Sequence, residues 1–173
     1  MLERFRGLVE AHQHQVYGLA VYVLGDSAEA EDVTQEVLLK LWHHLDRVEP
    51  ERAGAWLIRV TRNACLDNLR SRRSRRRLFS DGLDQATEAV DHGQTPEQEA
   101  AARDTDRLLQ QALAGLDEPY RSIAVLREVQ EKSYQEIAEA MDLPLNTVKT
   151  YLHRARRRLR EALKEVSCYA ASA

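Results

Sequence analysis

A chain of 173 residues, 43% hydrophobic and 31% charged, has room for one ordinary domain or two small ones with charged surfaces. Only 7 Gly and 4 Pro argue against a turn-rich sandwich or barrel, and no apolar run reaches the ~18 residues of a membrane span. The net charge of −3 conceals alternating blocks. Residues 1–50 carry 4 basic and 9 acidic groups, 51–77 carry 9 Arg against Glu51 and Asp67, and 78–106 carry Arg103 against 8 acidic groups. In 107–173 the basic groups crowd into 149–160. Two basic blocks separated by an acidic stretch imply two anion-binding surfaces, despite a pI near 6.1. The start, Met1-Leu2-Glu3-Arg4-Phe5-Arg6, lacks a signal peptide's apolar core. Cys65 and Cys168 are too few and too distant for a disulfide framework or a zinc site of their own. The expectation is a soluble, cytoplasmic, all-α chain with no membrane insertion.

Helical periodicity is clearest after Gly25-Asp26-Ser27. Asp26 followed by Glu29 suits an N-terminal cap, and neither Gly nor Pro follows until Pro50, so a helix is predicted over 26–45. Ala30, Val33, Val37, Leu41 and Leu45 recur at steps of three and four as one buried stripe. Asp32, Gln35, Glu36 and His43 fall on the opposite face, with Leu39 among them and Trp42 at the edge. Leu39 is either a scattered exposed leucine or the centre of a partner-docking surface. A second long helix is predicted over 53–77, with Leu57, Val60, Thr61, Ala64 and Cys65 facing a core. Trp56, Arg59, Asn63 and Arg70 share another face, with Arg62 beside them. Six of the eight residues in 70–77 are Arg, Arg73 among them. Arginine forks bind phosphate and stack on bases, and Asn can read a base edge. Trp56 is open to two readings, core packing or base stacking on an unpaired strand.

Residues 78–94 read as a flexible acidic connector, and Thr95-Pro96-Glu97 as a helix start. Upstream of 130, Leu108, Leu109, Ala112 and Leu116, then Ile123, Leu126 and Val129, supply apolar faces, with Pro119 at a helix start. Ser133-Tyr134-Gln135-Glu136 is a capping box. Asp142-Leu143-Pro144-Leu145 breaks that helix, and Asn146 is expected to cap the next, over 147–165. Two helices joined by so short a turn form a helix-turn-helix within a four-helix unit. Val148, Leu152, Ala155, Leu159 and Leu163 make its inward stripe. Lys149, Thr150 and His153 are placed to reach base edges, and Arg154, Arg156 and Arg157 to reach phosphates. Cys65 reads as a core residue, and Cys168 as part of a short tail, disordered or carrying a reactive thiol.

No catalytic, cofactor or metal site is expected. The sequence has no HExxH, no Gly-rich phosphate loop and no nucleophile elbow. His12 and His14 point to different helix faces and His43-His44 are adjacent, so neither pair suits a metal. A stand-alone helix-turn-helix regulator would leave the 56–77 block and the Leu39 face without a task. A purely protein-binding adaptor would not need Lys149 and Arg154.

The chain resembles the extracytoplasmic-function sigma factors, minimal members of the bacterial sigma-70 family. The stretch from Asp26 to Val37 looks like that family's core-polymerase-binding motif. Ala55-Trp56-Leu57-Ile58-Arg59-Val60-Thr61-Arg62-Asn63 with the Arg run looks like its promoter-melting and minus-10 segment. Leu116-Asp117-Glu118-Pro119-Tyr120-Arg121, the capping-box helix, and Asn146-Thr147-Val148-Lys149 with His153-Arg154-Ala155-Arg156 look like its minus-35-reading domain. The resemblance implies region 2 over 1–77, a linker over 78–94, region 4 over 95–167 and a tail over 168–173. It implies that Asp32, Gln35, Glu36, Leu39 and Trp42 dock on the clamp helices of the largest subunit of core RNA polymerase. Trp56, Arg59, Arg62, Asn63, Arg70 and Arg73 then meet the displaced strand of promoter DNA. Asn146, Thr147, Lys149, Thr150, His153, Arg154 and Arg157 meet the minus-35 duplex. Asn146 stands where many relatives carry Gly or Ser, and Thr150 where many carry Ser. An anti-sigma factor is a further partner that the resemblance suggests.

Overall fold

The computed structural model describes residues 1–78 and 96–170, and every regular element among them is helical. Packing divides the chain into two compact units, Met1–Glu88 and Ala89–Ala173. The expected connector, except for Leu78, and the expected cap Thr95 lie outside the described residues.

The first unit holds α1 (Leu2–Leu24), α2 (Ser27–His43), a single tight turn of 3-10 helix (Pro50–Arg52) and α3 (Ala53–Leu78). Gly25 closes α1 in the left-handed region (φ 68°), its N–H bonded to the Val21 carbonyl, a conformation that glycine adopts without steric cost. One residue later Asp26 caps α2, its carboxylate accepting the Glu29 N–H at 2.9 Å. All five stripe residues, Ala30, Val33, Val37, Leu41 and Leu45, are buried. The helix stops two residues short of the expected boundary, because the His44 N–H is shared between the Lys40 and Leu41 carbonyls and the chain turns there. Leu45 still reaches the core from that turn. On α3 the buried residues are Ala53, Leu57, Ile58, Thr61, Ala64 and Cys65, with Val60 half-buried. A Cβ on Gly54 would come within 3.3 Å of the His12 ring, so the absent side chain lets α1 and α3 approach closely.

The second unit holds α4 (Pro96–Ala114), α5 (Tyr120–Ala124) running on into a wider π turn (Val125–Val129), α6 (Tyr134–Met141) and α7 (Leu145–Ala170). Ala112, Leu113, Leu116, Ile123, Ala124, Val125, Leu126, Ile137, Ala140, Val148, Leu152 and Ala155 form its core. Arg121, half-buried, donates to the Leu116 and Ala114 carbonyls and so satisfies the end of α4. Burial pulls its guanidinium below the ordinary pKa, with Glu118 and Asp117 opposing that shift.

The capping box forms as expected. The Glu136 N–H donates to Ser133 Oγ at 3.2 Å, and the Ser133 N–H donates to Glu136 Oε2 at 2.7 Å. The Ser133 N–H foremost, with the Ser133 side chain and Lys132 adding to it, holds the Glu136 carboxyl below its ordinary value of 4.5. A depressed carboxylate stabilises the fold above the ordinary pKa and loses that contribution as pH falls through the folded value. Ser133→Ala is therefore expected to cost about 1 kcal/mol at neutral pH. Urea unfolding across the acid range should show wild-type stability falling as Glu136 protonates, a fall that Glu136→Gln lacks.

Two local expectations are corrected. Asn146 does not cap α7: Pro144 takes that place, its carbonyl accepting the Thr147 and Val148 N–H groups at 2.9 and 3.1 Å, which puts Asn146 inside the first turn. α7 runs on through Ala170, past the helix end expected near 165; the Cys168 side chain and residues 171–173 lie outside the described residues. The apolar stripe of α7 also emerges from the core toward its end, with Leu159 half-buried and Leu163 37% exposed.

Candidate functional site

On the outer side of α2, Asp32, Gln35, Glu36 and Leu39 are all exposed. The stripe that buries Ala30 to Leu41 leaves no other orientation for them. Leu39 is 62% exposed and Trp42 39%, unusual for side chains of their size. Trp42 is held edge-on against Phe5 of α1, ring centres 5.1 Å apart. Phe5, Gln35, Leu38, Leu39 and Trp42 line a groove of about 490 Å³. Glu36 pairs with Lys40 at 2.5 Å along the helix. An apolar trough rimmed by carboxylates suits a partner helix carrying leucines and basic groups. Phe5 and Leu38 are the members that periodicity did not single out.

The basic face of α3 presents Arg59, Asn63, Arg70 and Arg73 exposed, with Arg62 half-buried beside them. Arg70 makes a solvated pair with Asp67 at 2.9 Å, a contact weak enough for a phosphate to displace. Trp56 is half-buried, its ring tilted against His44 with centres 6.0 Å apart. Both readings of Trp56 keep a part, for one side packs and the other meets solvent. The Arg run is also less self-repelling than its sequence suggests, because Arg72 turns inward to Glu29 at 3.2 Å.

In the second unit, α6 ends in a Schellman closure. Asp142 stands in the left-handed region (φ 54°) while the Leu143 N–H donates to the Ala138 carbonyl at 3.0 Å. Two residues later α7 begins, completing the helix-turn-helix. With Val148, Leu152 and Ala155 buried, the side chains of Asn146, Lys149, Thr150, His153, Arg154 and Arg157 are exposed together, and Thr147 is half-buried. The Thr150 hydroxyl donates to the Asn146 carbonyl at 2.9 Å, which leaves its oxygen as an acceptor toward a ligand. Arg157 pairs loosely with Glu161 at 3.9 Å.

One of the arginines expected to face phosphate has a partner within the unit. Arg156 is engaged within the unit, donating to Glu128 at 2.8 Å. That hydrogen bond holds its guanidinium above the ordinary range despite burial. Arg158 joins Asp117 at 3.6 Å and lies 4.8 Å from the centre of the Tyr120 ring. These arginines fasten the back of α7, and Lys149, Arg154 and Arg157 remain on its front. Among the described residues no cluster of His, Cys, Asp or Glu could hold a metal. No helix there is long and apolar enough to cross a membrane.

The sequence matches the Sigma-70 region 2 family over residues 8–75 and the Sigma-70, region 4 family over 106–159. It is 36% identical over 165 residues to the ECF RNA polymerase sigma factor SigL of Mycobacterium tuberculosis strain H37Rv, covering 93% of this chain and 89% of that one. It is 29% identical over 170 residues to the ECF RNA polymerase sigma factor SigW of Bacillus subtilis strain 168, covering 95% and 91%. The fold is similar to CnrH, solved with the cytosolic domain of CnrY (TM-score 0.64, 26% identity, 93% of this chain and 88% of that one). It is also similar to RpoE of Bartonella quintana, solved with the anti-sigma factor NepR (TM-score 0.72, 24% identity, 92% and 96%). With both matched regions in order and a relative at 36% identity along nearly its whole length, the chain belongs to the extracytoplasmic-function sigma factors of the sigma-70 family, non-enzymatic factors that bind core RNA polymerase and direct promoter recognition at transcription initiation.

Proposed function

We propose that the three exposed surfaces divide the work of initiation. Asp32, Gln35, Glu36, Leu39 and Trp42 dock on the clamp helices of the largest polymerase subunit. Trp56, Arg59, Arg62, Asn63, Arg70 and Arg73 capture the displaced strand at the minus-10 element. Asn146, Thr147, Lys149, Thr150, His153, Arg154 and Arg157 read the minus-35 duplex. The region boundaries that go with this are 1–77 and 95–167. The observation that carries the reading is the groove at Leu39 and Trp42, two large apolar side chains held open to solvent on a face otherwise built of carboxylates and amides.

Charge alone explains neither basic surface. Capture of single-stranded bases needs a flat ring to stack on and an amide to read an edge, and Trp56 and Asn63 supply them among arginines. Duplex reading needs side chains of fixed direction, and the first turns of α7 project Lys149, Thr150 and His153 from a buried backbone. Lys149 donates, Thr150 accepts and the His153 ring offers one donor and one acceptor, so the triad suits a mixed pattern of base-edge groups. Such a protein works in the cytoplasm, beside the polymerase and the chromosome. An anti-sigma factor that covers the Leu39 groove is the regulator in keeping with the complexes in which the CnrH and RpoE structures were solved.

The test is in vitro transcription with core RNA polymerase, this protein and fragmented genomic DNA. Discrete start sites that depend on the added protein are expected, and their absence would defeat the proposal. On a promoter so found, His153→Ala should change the preference at one or two minus-35 base pairs by about 1–3 kcal/mol per pair, read by competition between variant promoters. An unchanged preference removes His153 from the reading set.

A further inference from the structure

We infer that Arg72 is a positioning residue: its ion pair with Glu29 aims the arginine-rich end of α3 so that Arg70 and Arg73 meet the displaced strand. The inference rests on the strand-capture role proposed above. Helix geometry separates Arg72 from its neighbours. At 100° per residue, Arg72 lies on the side of α3 that carries Thr61, Cys65 and Asn68, while Arg59, Asn63, Arg70 and Arg73 lie on the other. Thr61 and Cys65 are fully buried, so Arg72 continues the inward stripe of its helix.

That stripe needs a tie at this point. Beyond Cys65 none of the described α3 side chains is fully buried, and the last described apolar ones, Leu66 and Leu69, are half-buried, leaving 70–77, about 12 Å of helix, without apolar anchoring of the kind that holds 53–65. Like charges at successive turns would also push it about. Arg72 supplies the tie at two places whose backbone is itself fixed. Its Nε lies 3.2 Å from Glu29 Oε1, and its Nη1 donates to the Leu24 carbonyl at 3.3 Å. Leu24 ends α1, where carbonyls lack partners within the helix. Glu29 sits in the first turn of α2, where Asp26 holds its N–H. The Arg72 and Glu29 side chains are only 27% and 25% exposed, and Glu29 Oε2 is buried with no hydrogen-bond partner. Among the described residues Arg72 is the cation that faces this carboxylate. Arg72 fastens the corner of α1 and α2 to the far end of α3.

The sign of one substitution separates positioning from charge. If Arg72 only added positive potential, removing Glu29 would strengthen binding to a polyanion. Positioning demands the reverse, since without Glu29 the end of α3 loses its aim. The experiment uses the full chain with core RNA polymerase on a promoter found by the transcription assay, with opening followed by permanganate reactivity of unpaired thymines. Arg72→Ala and Glu29→Ala are each expected to reduce opening about tenfold, within the range for coupled neighbours. Arg72→Lys, which keeps a cation opposite Glu29 and a donor near the Leu24 carbonyl, should retain most of it. Binding of an oligonucleotide of the opened strand should have a salt slope shallower by about 0.7 in Arg73→Ala, the increment for one phosphate contact. Core-polymerase affinity and helical content should match wild type in all four variants.

Opening in Glu29→Ala equal to or above wild type overturns the inference. So does a loss of opening in Arg72→Lys as large as in Arg72→Ala, or a loss of core affinity that would move the pair into the docking face. If wild-type protein opens no promoter, or Arg73→Ala opens it as wild type does, the strand-capture role itself fails, a result distinct from any of these.

Discussion

Leu39→Glu should abolish association with core RNA polymerase while leaving helical content and thermal unfolding close to wild type. The side chain sits outside the core of its unit, so its replacement touches no buried packing and falls in the class of surface changes worth within about 0.5 kcal/mol of stability. In the complex it would bring an uncompensated carboxylate into an apolar trough already rimmed by Asp32 and Glu36. Truncation of a central anchor typically costs 2 kcal/mol or more, about thirtyfold in Kd, and burying the new charge adds to it. Asp32→Arg, on the rim, tests the electrostatic half of the same contact. Both are to be measured by titrating labelled core polymerase, alongside a melting curve. If either variant melts well below wild type, the face belongs to the fold and its docking role is lost.

Leu152→Ala should unfold the second unit and spare the first. Leu152 is buried on the inward stripe of α7, and removing such a leucine costs about 2–5 kcal/mol through lost burial and the cavity left behind. A unit of this size has little more than that in hand, because a single small core rarely supplies over ~3–5 kcal/mol. The expected outcome is loss of hydrogen-exchange protection in α4 to α7, with protection in α1 to α3 and polymerase binding retained. Minus-35 preference should vanish with it. Loss of protection in both units together would show that they do not unfold separately.

How far the fold could be read in advance depended on how local each cause was. The stripe of α2 and the cap at Asp26 involve residues within a turn or two of each other, and they appear where the spacing puts them. The Ser133 and Glu136 box is local in the same sense. The start of α7 was misjudged by two residues because a prolyl carbonyl, which leaves no mark in residue type, does what the Asn146 side chain was expected to do. Phe5 was missed because its partner Trp42 stands on another helix. Arg156 was assigned to phosphate for a related reason, since its partner Glu128 is 28 positions earlier. In a run of arginines only the fold decides which ones turn inward. The Leu39 face was legible as an anomaly, an apolar residue amid charges, and its task came from the resemblance.

The division of labour along α7 has one more consequence. Val148, Leu152 and Ala155 keep the unit folded, while Asn146, Lys149, Thr150 and His153 take no part in that core. On the proposed minus-35 reading, stability and target choice are written in separate letters of a single helix, and the second set can drift or be rewritten without disturbing the first. A duplicated copy of such a chain is free to acquire a new set of genes while still assembling with the same machine.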